Sequence, residues 1–141
     1  MSSEIAMCYA WVDSTLRADS ALMAAATGGV FQGMADIGTA PPFAVYARQS
    51  GSDVMTSAAV RLWASILLQI KAVGPTSQWA AIVVIANRID ELFKDVRSVA
   101  LATGGVLSCY REQELAMGDP PIAGQAWTNL GGLYRIALQG Q

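Results

Sequence analysis

The sequence predicts an α+β domain: one mixed or mainly antiparallel sheet of four to five strands packed by two main helices, in the order α-β-β-β-α-β-β. Three observations carry that expectation. Val60 to Ala72 alternates, with Leu62, Ala64, Ile66, Leu68 and Ile70 apolar against Arg61, Trp63, Ser65, Leu67, Gln69 and Lys71, the period of a strand with one buried face. Trp79 to Val96 instead repeats at three and four residues, through Ile82, Ile85, Ala86, Ile89, Leu92, Phe93 and Val96, a wide apolar helical stripe. The pentapeptide ATGGV occurs at Ala26 to Val30 and again at Ala102 to Val106, each time where a helical pattern yields through two glycines to a β-branched residue.

The elements follow in order. Ser2 or Ser3 caps a first helix whose apolar face is Ile5, Cys8, Tyr9, Val12 and Leu16, and Glu4 sits in its first turn. Asp19 caps a short Ala-rich continuation to Ala26, as one bent helix or two in tandem. A short strand, Val30 to Gln32, leads to a loop from Gly33 to Pro42, and Phe43 to Gln49 alternates again. Ser50 to Ala59 is small, polar and glycine-containing, so it reads as a mobile excursion between paired strands. Gly74 and Pro75 stop the long strand, and Thr76 or Ser77 caps the major helix. Val106 to Gln113 is a strand, Leu115 to Asn129 a long loop with Gly118, Pro120, Pro121 and Gly124, and Leu133 to Gln139 the last strand, with Tyr134, Ile136 and Leu138 on one face.

Composition narrows the function. The 141 residues (1–141) fit a single domain with a real core, and a 53% apolar, 14% charged composition points to a compact body or to one with buried contacts to other subunits. The net charge of −2 and the absence of a basic run leave no electrostatic footprint for gripping nucleic acid. No apolar run is long enough to span a bilayer, so no membrane partner is expected, and Glu4 stands where a secretory signal carries Lys or Arg, which implies a cytoplasmic chain.

With no histidine, the Ser-His-Asp, Cys-His and HExxH chemistries are closed, and neither an enzyme nor a cofactor is expected. Cys8 and Cys109 lack ligand spacing and read as buried free thiols. Arg111, Glu112 and Glu114 read as a solvated strand end or subunit salt bridge, and Asp53 and Asp119 lack the companion oxygens of a calcium loop, so no metal is expected. Trp63, on the outward face of the long strand, is either covered by a loop or an anchor at a subunit interface.

The order of parts resembles the tail terminator, or tail completion, proteins of long-tailed bacteriophages: DSAL at Asp19 to Leu22, GGVF at Gly28 to Phe31, APPFAVY at Ala40 to Tyr46, a loop, a long strand, a long helix, GGV at Gly104 to Val106 and GLYRIALQ at Gly132 to Gln139. That resemblance implies a virion protein of the tail or neck, made in the host cytoplasm, forming a ring, typically a hexamer, at the head-proximal end of the tail tube. Such a ring stops polymerisation of the major tail tube protein, meets a head-side neck or connector protein, and lets DNA pass through its lumen. The two long loops are the expected contact regions, with Arg48, Gly51, Asp53, Met55, Arg61 and Trp63 in or beside the first and Met117, Asp119 and Trp127 in the second. Another neck or head-tail connector protein is the nearest rival, and a small ligand-binding α+β domain a more distant one.

Overall fold

The computed structural model describes residues 2–140, apart from the side chains of residues 2 and 122. Helix α1 (Ser2–Ala18) buries Cys8, Trp11, Val12 and Leu16 and half-buries Ile5 and Tyr9, as its spacing predicts; a cap by Ser2 lies outside the described side chains. Asp19 ends that helix and caps α2 (Ser20–Ala25), its Oδ1 accepting the Leu22 N–H at 2.8 Å. The chain continues through β1 (Val30–Gln32), β2 (Phe43–Met55), β3 (Arg61–Pro75), a 3-10 turn (Thr76–Gln78), α3 (Trp79–Phe93), β4 (Asp95–Leu101), β5 (Gly104–Ile122) and β6 (Gln125–Gly140). None of these helices is long and apolar enough to cross a membrane.

All six strands form one sheet in the order β1-β2-β3-β6-β5-β4, with β1 parallel to β2 and every other neighbour antiparallel. The helices supply one side of the main core. Ile82, Ile85, Ile89 and Phe93 of α3 and Val12 and Leu16 of α1 meet Ile66, Leu68 and Ile70 of β3 and Tyr134, Ile136 and Leu138 of β6, all buried. Arg88 of α3 pairs with the capping carboxylate of Asp19 at 2.6 Å, which ties the start of α2 to α3 and holds the Asp19 carboxyl below its ordinary range.

The expected sheet of four to five strands with two main helices is overturned: the chain is mostly β, with a curled mixed sheet of six strands and three helices. The extra strand content comes from stretches whose composition disguised them. Ser50 to Met55 and Leu115 to Ile122 are arms of long hairpins rather than loops. Their backbone groups pair with β3 and β6 while both faces of each arm stay largely exposed, so no alternation of polarity marks them. The predicted helix stops at Phe93, and Val96 enters β4, so the second ATGGV closes a β-hairpin instead of a helix. Neither Thr76 nor Ser77 caps α3; Thr76 Oγ1 shares a 2.7 Å hydrogen bond with Thr128 Oγ1 across to β6. Leu62, assigned to the buried face, is 40% exposed.

Strands β3 and β6 are the centre of the sheet, paired from Ala64↔Leu138 to Pro75↔Trp127. At Gly131 the two backbones approach so closely that a Cβ would stand 2.2 Å from the Ile70 carbonyl oxygen. Gly118, by contrast, would place a Cβ 3.8 Å from its nearest neighbour, the Trp127 oxygen. We therefore expect Gly131→Ala to abolish or severely weaken folding and Gly118→Ala to change stability by no more than about 1 kcal/mol, read by urea unfolding. Ile66→Ala should cost about 2–5 kcal/mol and Leu62→Ala about 0.5 kcal/mol or less in the same experiment. Burial lifts the Cys8 and Cys109 thiols to about 12, so neither should react with a thiol reagent at neutral pH until the protein is unfolded.

Candidate assembly surfaces

The two hairpins project from opposite ends of the sheet. The β2–β3 turn, the β4–β5 turn and the end of β6 lie together at one end, and the β5–β6 tip and the start of α3 at the other. Thr56 shapes the first turn: its N–H donates to the Val60 carbonyl, and its Oγ1 accepts from the N–H groups of Ala58 and Val60. Of the residues singled out in the sequence, Arg48, Gly51, Asp53, Met55, Arg61 and Trp63 belong to this hairpin, and Met117, Asp119 and Trp127 to the other. The structure therefore divides them between two separate surfaces.

Arg61 is not a free contact residue. Its guanidinium pairs with Glu4 of α1 and lies 3.6 Å from Asp53. Glu4 is only 1% exposed, an acid that the sequence reading placed merely in a favourable first turn. Burial works against its charge, but the hydroxyl of Ser3, donating at 2.8 Å, and the Arg61 guanidinium outweigh it and bring the carboxyl down to about 2. This pair fastens the N-terminal helix to the base of the first hairpin.

Trp63 lies half-buried on the helix-free face, beside an open cleft of about 480 Å³ lined also by Leu107, Tyr110 and Arg135. Arg135 is held there by a two-pronged contact to Glu112, at 3.1 and 3.0 Å. At the other end of that face Phe43, Val45 and Val73 make a second, smaller cluster, against which Trp127 tilts with its ring 6.4 Å from Phe43. Asp119 accepts from the Asn129 amide at 2.8 Å, so it braces the second hairpin, while Met117 and Met55 stay exposed. A cleft of about 500 Å³ runs between this cluster and the loop from Gly33 to Pro42, whose Met34 and Ile37 point into solvent. Two apolar side chains in a glycine-rich loop were a signal the sequence reading passed over.

The sheet's two sides differ. On one, β1 covers β2 only from Ala44 to Tyr46, and β1 is itself blunted: Arg17 donates to the Val30 carbonyl at 2.7 Å and Met34 N–H to the Gln32 carbonyl. The Arg48 N–H is taken by the Tyr9 hydroxyl at 2.9 Å, and beyond it the outer edge of β2 pairs with no described strand. On the other side β4 covers β5 from Gly104 to Tyr110, leaving the outer edge of β4 and the rest of β5 unpaired among the described residues.

No protein-family profile matches the chain. No curated protein matches it either. Among solved structures its fold is similar to a chain described as "Virion of native gene transfer agent (GTA) particle", with a TM-score of 0.72 and 16% identity over 92% of each chain.

The Glu4 carboxyl sits below its ordinary value of 4.5, so its stabilising contribution is complete above that pH and is lost as the pH falls toward 2. Glu4→Gln should lower the urea midpoint at pH 7, and the gap between variant and wild type should narrow steadily from pH 5 to pH 2. A gap independent of pH would mean that the ion pair contributes nothing.

Proposed function

We propose that this chain is a structural virion protein that forms a closed ring, a hexamer, at the head-proximal end of a tail tube, where it ends polymerisation of the major tail tube protein and joins the tail to a head-side neck or connector protein. The observation that carries this reading is the likeness, over nearly the whole of both chains, to a protein chain from an assembled virion. The order of sequence motifs that resembles the tail terminators, from DSAL at Asp19 to GLYRIALQ at Gly132, supports the more specific role.

The physical chemistry fits. A ring built head to tail needs two different complementary patches on each subunit, and the two sides of this sheet differ in just that way. The hairpins at opposite ends offer separate axial contacts, one toward the tube and one toward the neck. The helix-free face suits a lumen. It mixes small and polar positions, such as Ser52, Ser65, Gln69 and Ser108, with apolar ones, such as Trp63, Leu67 and Leu133, and Arg135 is neutralised by Glu112, which lessens the pull on a passing polyanion. The role is one of fit and closure rather than catalysis.

Light scattering of the purified protein followed by electron microscopy tests this directly. The expected result is a single ring species, and tubes polymerised from the cognate tail tube protein should stop lengthening when the ring is added. A subunit that remains monomeric at high concentration, with tubes growing at an unchanged rate, overturns the proposal.

A further inference from the structure

Two rows across the sheet define where a second copy would meet the first. One runs Ser52–Ser65–Ala137–Ser108–Arg97 from β2 to β4, and its two ends are both open strand edges. The other runs Gln32–Tyr46–Ile70–Gly132–Glu114 from β1 to β5. The sides of the sheet are thus stepped: β4 projects at the level where β2 is bare, and β1 projects at the level where β5 is bare. When each row of one copy is set level with the same row of the next in a head-to-tail ring, the steps interlock.

We infer, resting on the ring proposed above, that neighbouring copies join by a lap joint in which β4 of one copy lays its outer edge along β2 of the next, from Ser50 to Met55, in parallel. The direction follows from the topology, because four successive antiparallel pairings between β2 and β4 leave those two strands running the same way. The Tyr9 hydroxyl on the Arg48 N–H marks where the pairing begins. At the other step the blunted edge of β1 offers no ladder. There the Gly33–Pro42 loop, with Met34 and Ile37, abuts the bare part of β5, with Met117.

Charge is complementary across the joint. Arg48 is the one arginine among the described residues without a carboxylate partner, and Glu114 is an acid on the opposite side without a cationic one. They stand in rows whose β3 members, Leu68 and Ile70, face the helices, so both project on the helix-bearing face. With the rows aligned, Glu114 of one copy meets the row of Gln32 and Tyr46 in the next. From Arg48 it is two residues along the strand, roughly 7 Å, and two strand spacings across, roughly 10 Å, so about 12 Å between Cα atoms, a span that two long side chains can close. The occupant of both edges is therefore a second copy of this chain.

Two sets of variants test the joint. Ser52→Cys combined with Arg97→Cys, both at exposed positions, should give on mild oxidation a reducible ladder of covalent oligomers ending at the ring's own subunit number. Neither single cysteine should do so. Arg48→Glu and Glu114→Arg should each raise the concentration needed for half-assembly by about tenfold or more, and the double reversal should restore it to within about threefold. Wild-type rings together with no ladder and unimpaired charge reversals would sink the lap joint while leaving the ring standing. A wild-type protein that never assembles would sink both.

Discussion

The pairing of β3 with β6 is the constraint on which everything else rests. Those two strands sit in the middle of the sheet, far apart in sequence, and their ladder runs from Ala64 to Pro75 on one and from Leu138 to Trp127 on the other. It places Ile66, Leu68 and Ile70 beside Tyr134, Ile136 and Leu138, and that joint surface is what α1 and α3 cover. Gly131 lets the backbones close to a distance no side chain would permit. Without this ladder the helices would have no common floor and the hairpins no base.

Helices cover only one face of that sheet, and the consequence is an asymmetry in where polar and apolar groups stand. The covered face holds the large core, with Phe93 packed edge-on against Trp11 and Tyr134. The uncovered face has one small apolar cluster around Phe43 and a partly sheltered Trp63. Such a face is neither a second core nor a uniformly solvated surface.

Ion pairs mark where the elements are tied. Asp19 with Arg88 joins α2 to α3, Glu4 with Arg61 joins α1 to β3, and Arg111 with Asp90 joins β5 to α3. The first two involve well-buried carboxylates, so breaking one partner leaves a charge without compensation in a poor solvent for it. The charges left over lie at edges and clefts: Arg48 on β2, Glu114 on β5, and Lys71 and Asp36 beside the Trp127 cleft.

By itself the sequence determined the elements that one buried face writes into residue order. The helical stripe from Ile82 to Phe93, the alternation from Ala64 to Ile70, the Asp19 cap and the Tyr134–Leu138 strand all form as their periods demand, because burial on one side selects residues at that period. It marked Ser50 to Ala59 and Leu115 to Asn129 as long loops, and in both places the chain instead forms a hairpin. Only the tertiary structure decided that Ser50 to Met55 and Leu115 to Ile122 are strands, that Arg61 is committed to Glu4, and that the sides of the sheet are stepped. The reason is that a strand exposed on both faces draws its stability from hydrogen bonds to a partner, and backbone hydrogen bonds leave no signature in side-chain polarity.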